Sequence, residues 1–212
     1  FTDRGDGDMG HGGVYAHDVS AEVAARRSKI VDLPWTWLRQ VHGSEVVQVG
    51  YPGANAGARA DAAVTSLAGC PLAVLTADCA PVALASQEGV MSAVHAGWSG
   101  VVAGVVARAV AEMRAVGAGV VSAVIGPTIH GECYEFGDAD LLRVEALLGP
   151  GVRSRTREGA PALDLPAAVH LALRQAAVDS VVTVGGCTSC DSNLFSWRAR
   201  RDKQRQAMVV WR

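Results

Sequence analysis

Apolar residues in this chain fall into short runs broken by glycine, proline and small polar residues. Pro71–Thr76, Pro81–Ala85 and Val90–His95 are nearly unbroken apolar runs. That pattern predicts adjacent strands buried on both faces, with Gln87-Glu88-Gly89 as a hairpin turn. Trp35–Val41 and Glu45–Val49 predict two more strands around a His42-Gly43-Ser44 turn. Further strands are expected at Val120–Ile125, stopped by Gly126-Pro127, at Ser180–Val184 and at Met208–Trp211. Four segments read as helices. Asp18 can cap one running to about Ile30, with Val19, Val23 and Ile30 on one side. Ser99, as N-cap before Gly100, opens a second to about Val116. Ala139–Leu148 and Pro166–Val178 are the others, the last capped by Asp164. Strands and helices mix without strict alternation, which predicts an α+β fold, an irregular αββα sandwich. The glycine-rich loop Gly50–Arg59 is flanked on both sides by similar apolar runs, so residues 1–212 read as a single domain.

Composition narrows the functional classes. Half of the 212 residues are hydrophobic, 19% are charged and the net charge is −2. This is too apolar for a disordered chain and lacks the positive charge of a nucleic-acid binder. Aromatics are only 5%, so the core is expected to be built from small aliphatics. The most apolar window, Val101–Val116, carries Arg108, Glu112 and Arg114, so no membrane span is expected. Five cysteines, an odd number, and the unleader-like start Phe1-Thr2-Asp3-Arg4 suggest reduced thiols and a cytoplasmic setting.

Three residues stand out as candidate ligands. His42 and His95 each end a predicted strand before a glycine, and Cys79 lies in the break between two apolar runs. Strand ends deliver side chains to a shared sheet edge. Their wide spacing excludes a local finger or knuckle. A His-Cys-His set suits a borderline-soft divalent ion such as zinc, which acidifies a bound water to give hydroxide. Without metal, Cys79 and a histidine could instead form a thiolate–imidazolium nucleophile. Residues of these types near strand ends also occur as ordinary packing, and spacing alone does not choose.

Other candidates are weaker. Cys187-Thr188-Ser189-Cys190 is a lone C-x-x-C with no second pair, and reads as two free thiols in a loop. The glycine-rich segment around Gly5–Gly13 follows no strand and makes no phosphate loop. Arg198–Arg205 is either a solvated basic face or an anion site for phosphate. No closely spaced histidine run offers ligands for a multicopper centre.

Read in order, R-Q-V-H-G at Arg39–Gly43, A-D-A around Asp61, T-A-D-C-A-P at Thr76–Pro81, H-A-G-W at His95–Trp98, I-G-P at Ile125–Pro127 and C-T with L-F-S-W-R ending at Arg198 resemble one family along almost the whole chain. This is the YfiH-like family, once labelled multicopper polyphenol oxidases or laccase-domain proteins. Its members are described as purine nucleoside phosphorylases with adenosine deaminase activity, and one branch as a peptidoglycan editing factor. The resemblance implies an αββα fold related to the cysteine hydrolase domain of cytotoxic necrotizing factor. It implies that His42, Cys79 and His95 are both zinc ligands and catalytic centre, with Gln40 and Arg198 in the matching motifs as substrate-binding residues. Zinc is the implied cofactor, with copper the family's older assignment. Nucleoside and phosphate are the implied partners. The implied chemistry is phosphorolysis of adenosine, inosine and methylthioadenosine, and hydrolytic deamination of adenosine. The alternatives are a metal-free Cys-His hydrolase or amidase acting on a peptidoglycan precursor, and a non-catalytic metal-binding protein. The chain departs from the family at Ser99 and Ala199, where arginines are usual, and in its amino-terminal signatures.

Overall fold

The computed structural model describes residues 1–10, 19–178 and 180–212. In chain order, helix α1 (Ala21–Ile30) leads to strands β1 (Thr36–Trp37), β2 (Val46–Gln48), β3 (Ala62–Thr65), β4 (Leu72–Thr76), β5 (Ala80–Ser86) and β6 (Met91–Ala96). Helices α2 (Trp98–Val102) and α3 (Val105–Ala115) then precede β7 (Val121–Ile125) and α4 (Asp138–Leu148). The hairpin β8 (Arg153–Arg155) and β9 (Pro161–Leu163), helix α5 (Leu165–Gln175), β10 (Ser180–Thr183), the short α6 (Trp197–Arg200) and β11 (Gln206–Val210) complete the order.

The larger sheet runs β10-β7-β5-β6-β3-β2, and the smaller runs β1-β4-β11. Alternation along the strands assigns the layers. In β5 and β6, Val82, Leu84, Val94 and Ala96 pack with α3, α4 and α5 residues such as Val106, Val144 and Val169. Ala93 of β6 and Ala63 of β3 point the other way, into a second core with Leu72 and Val74 of β4 and Met208 of β11. The outer face of β4, at Ala73 and Leu75, meets Met9, Trp35 and Ile30 of α1. The result is a mixed α/β protein in αββα layers, as the sequence pattern implied. Alanine and valine facing between the sheets let the two backbones approach closely. Among the described residues, no helix is long and apolar enough to cross a membrane.

Several local expectations change. Asp18 lies outside the described residues, and α1 is capped by Ser20, whose Oγ accepts from the Val23 N–H at 3.2 Å. β4 does not join β5 and β6. It pairs parallel with β1 and antiparallel with β11 in the smaller sheet. Apolar runs report burial but not sheet membership, and Asp78, at φ 104°, turns the chain from one sheet to the other. The β5–β6 hairpin forms as expected, with Gly89 at φ +82° in its turn. The single helix expected after Ser99 is split, because Gly104 adopts φ +87° between α2 and α3. Ser99 is not the N-cap. Gly97 holds that position, and the Ser99 hydroxyl donates to the His42 carbonyl at 3.1 Å. Asp164 does cap α5, accepting from the Ala167 N–H at 2.9 Å. Strands β3, β8 and β9 had no periodic signal; β3 is four small residues, all buried.

Candidate metal centre

The structure brings His42, Cys79 and His95 together. His42 sits in the turn after β1 with φ 57°, Cys79 follows Asp78 just before β5, and His95 is near the end of β6. One ligand atom from each lies within 4.8 Å of the others. The Cys79 sulfur is 3.7 Å from His42 Nε2, and the imidazole rings meet edge to face at 4.8 Å. His95 is buried, Cys79 half-buried and His42 exposed, so the trio opens to solvent on the His42 side.

Two residues given no role from sequence build this arrangement. Asp61 is fully buried beside His95. Its carboxylate accepts from the backbone N–H groups of Val41, His42 and Gly43 at 3.1, 2.9 and 2.8 Å, and from His95 Nδ1 at 2.8 Å. One carboxylate therefore fixes both the turn that carries His42 and the ring of His95. Because the Asp61 carboxylate accepts a hydrogen bond from Nδ1–H, His95 presents Nε2 towards the sulfur. Gly97 is the second. A Cβ there would lie 2.8 Å from His42 Cδ2 and 3.0 Å from the Cys79 sulfur. Only glycine leaves the two ligands room at their present separation. The A-D-A motif around Asp61 carried the family resemblance, but nothing local in the sequence tied it to His95.

The electrostatics favour a thiolate. Burial raises the Cys79 pKa, yet the charge of His95 and the hydrogen bond from His42 outweigh it and bring the thiol down to about 6. Burial lowers the His95 pKa, but the Cys79 charge and the Asp61 hydrogen bond win and lift it to about 9. Burial also opposes ionisation of Asp61, while the bonds from His95, Gly43 and Val41 hold its pKa below the usual carboxylate range. Without metal the centre is a thiolate–imidazolium pair backed by a carboxylate. With metal, a cation replaces the His95 proton. The residues fit a divalent ion. Two imidazoles and a thiolate suit zinc, the Asp61–His95 bond is the usual outer support for a ligating histidine, and the site is open on one side.

A second carboxylate ties the centre to the carboxy-terminal loop. Asp78 Oδ1 accepts from the Thr188 hydroxyl at 2.7 Å, and Oδ2 accepts from the Arg198 N–H at 2.6 Å. Arg198 is thereby placed near the trio. Its guanidinium lies over Tyr134 at 4.9 Å and donates to the Glu135 carbonyl at 3.3 Å. The Tyr134 phenol pKa is pushed up by burial and by the Cys79 charge. Gln40 is bonded to Leu75. Its amide donates to the Leu75 carbonyl at 2.7 Å and accepts the Leu75 N–H at 2.8 Å, bracing β4. Of the basic segment, Arg200 folds back on the carbonyls of Thr188 and Leu194, and Arg205 donates to the Asp202 carbonyl. Those two arginines staple loops, whereas the Arg198 guanidinium lies over Tyr134.

Fold and site together define a layered α/β protein with a His-Cys-His cluster that could hold a metal ion. The chain belongs to the multi-copper polyphenol oxidoreductase laccase family, whose model matches residues 8–212. A Mycobacterium tuberculosis protein named purine nucleoside phosphorylase is 40% identical across 94% of this chain and 83% of its own length. A Streptomyces coelicolor protein of the same name is 39% identical across 100% of this chain and 93% of its own. Among solved structures, YlmD from Geobacillus stearothermophilus superposes with TM-score 0.82 at 27% identity, covering 97% of this chain and 84% of that one. YfiH from Bacillus licheniformis gives 0.82 at 25% identity, covering 95% and 84%.

Proposed function

We propose that this chain is a zinc-dependent purine nucleoside enzyme, catalysing phosphorolysis of adenosine, inosine and methylthioadenosine and hydrolytic deamination of adenosine. The observation that carries the reading is the convergence of His42, Cys79 and His95 with Asp61 behind His95. The naming of the relatives as purine nucleoside phosphorylases supports the substrate class. Zinc held by the trio supplies Lewis acidity and lowers the pKa of water towards neutrality. Asp61 keeps the Nδ1 proton on His95 and so keeps Nε2 aimed at the centre. Arg198, over Tyr134, offers the positive charge that phosphate or a developing anion needs. In phosphorolysis a phosphate oxygen bonds to the ribose C1′ as the bond to purine N9 breaks, and the leaving base takes a proton. In deamination water adds at C6 and ammonia leaves. The partners in this reading are small molecules, with neither nucleic acid nor membrane involved, and the setting is cytoplasmic. Residues 1–212 act as one domain.

Chromatography of products from adenosine, with and without phosphate and with and without chelator, tests this. Phosphate-dependent adenine and chelator-sensitive inosine are expected. Neither product from zinc-loaded protein would refute the reading.

A second reading has its own support. The low thiol pKa of Cys79 beside a protonated His95 also suits a metal-free hydrolase or amidase acting on a peptide or cell-wall precursor. Activity that survives chelation but is lost on alkylation, with an acyl adduct trapped on Cys79, would favour it.

A further inference from the structure

We propose that Glu132, Cys133, Cys187 and Cys190 form a second metal site that takes one zinc ion as a structural clamp. The lone C-x-x-C of the sequence is completed by the turn at Gly131–Cys133, more than fifty residues earlier in the chain. One ligand atom from each of the four residues lies within 4.8 Å of the others. Cys133 and Cys190 place their sulfurs 3.4 Å apart, and the Cys190 sulfur is 4.0 Å from the Glu132 carboxylate. A tetrahedral ion with bonds of ~2.3 Å needs sulfurs roughly 3.8 Å apart, whereas a disulfide needs ~2.05 Å. The spacing is close to the first requirement and far from the second. All five cysteines are free thiols.

The surroundings suit a metal-bound thiolate set. The His130 N–H donates to the Cys187 sulfur at 3.3 Å. The Cys190 and Asp191 N–H groups donate to the Cys187 carbonyl at 3.1 and 3.0 Å, closing the turn that points both sulfurs inward. Arg157 Nη2 lies 3.0 Å from the Cys190 sulfur and offsets part of the ligand charge. Four protein donors leave no position for water or substrate, which marks a structural rather than a catalytic site. A disulfide between Cys133 and Cys190 would leave Cys187 and Glu132 converging for no purpose; one zinc ion uses all four.

The clamp has a definite object. Thr188, between the two cysteines of the C-x-x-C, donates its hydroxyl to Asp78 and its N–H to the Thr128 carbonyl at 3.0 Å. Zinc there holds the loop that anchors Asp78, next to Cys79, and Arg198. The site is separate from the His42 trio and stands whether or not the proposed activity does.

Elemental analysis of full-length chain purified without chelator tests it. About two zinc ions per chain are expected in the wild type, with about one left in His42→Ala/His95→Ala, about one in Cys133→Ser/Cys190→Ser, and none in the combined variant. If the cysteine variant does not fold, cobalt(II) is added to metal-free His42→Ala/His95→Ala chain. An intense near-ultraviolet sulfur-to-cobalt band is then expected, weakened when Glu132→Gln or Cys187→Ser is added. About one zinc in the wild type and none in His42→Ala/His95→Ala overturns the proposal. So does an unreduced wild type lighter by two hydrogens with a Cys133–Cys190 linkage, or a cobalt spectrum without sulfur bands.

Discussion

The two candidate ligand clusters of this chain share cysteine sulfur, differ in what surrounds it and have opposite characters. In the His42–Cys79–His95 centre the sulfur is set between imidazoles, and its thiol is brought down to about 6. At the C-x-x-C cluster, burial and the neighbouring Cys190 push the Cys133 thiol up to about 12. Neighbours account for the difference. A histidine backed by a buried carboxylate can supply a positive charge without metal, whereas thiols against thiols cannot ionise together unless a cation is shared. The first centre therefore favours a thiolate even when empty. The second is useful only when filled.

The strongest challenge to that contrast is removal of the histidines. His42→Ala/His95→Ala is expected to lower adenosine deamination by more than ~100-fold, beyond the usual range for outer-shell residues, while the C-x-x-C cluster keeps its zinc. Steady-state rates beside metal analysis decide this; loss of both ions at once would merge the clusters into one cooperative unit. Asp61→Asn probes the carboxylate that sets the two apart, and a roughly 10- to 100-fold loss of zinc affinity or turnover is expected. An unchanged affinity would mean that His95 holds its orientation without Asp61. Gly97→Ala puts a methyl against both His42 and Cys79, and turnover should fall roughly 10-fold or more with the fold retained, since small displacements at a centre are costly. Circular dichroism with kinetics separates that outcome from unfolding.

A pH series sharpens the same contrast. In chelator-treated protein, carbamidomethylation of Cys79 should rise through a midpoint near pH 6, because a lowered thiol pKa keeps the thiolate populated above that value. Cys133 should stay unmodified until strongly alkaline pH. Peptide mass spectrometry reads both sites in one sample, and coincident profiles would abolish the distinction. The smallest effect is expected at Ser99→Ala. It removes one exposed hydrogen bond to the His42 carbonyl, and thermal unfolding should show about 0.5 kcal/mol of destabilisation, less than a lost helix cap.

Local chemistry in the sequence located much of this and missed what depends on distant partners. The β5–β6 hairpin follows from two apolar runs around Gln87-Glu88-Gly89, and α5 follows from Asp164. The trio could be suspected because His42 and His95 each end a predicted strand and Cys79 lies in the break between two apolar runs. The placement of β4 was not legible, since strands buried on both faces look alike in either sheet. Nor was the role of Asp61, whose four hydrogen bonds reach residues 18 to 34 positions away. The C-x-x-C looked incomplete because its partners lie in another segment, at Glu132 and Cys133.

Asp78 makes the position of Cys79 depend on distant parts of the chain. It is a non-glycine residue at φ 104°, a backbone state that costs on the order of 1 to 3 kcal/mol and persists only where its surroundings enforce it. Those surroundings are the Ile129 N–H and Thr128 hydroxyl on its carbonyl, and Thr188 and Arg198 on its carboxylate. Two of these partners lie about fifty positions downstream and two more than a hundred, so the backbone state that precedes Cys79 rests on contacts from distant parts of the chain. The residue that positions Cys79 is thus tied to the carboxy-terminal loop as firmly as to its own neighbourhood.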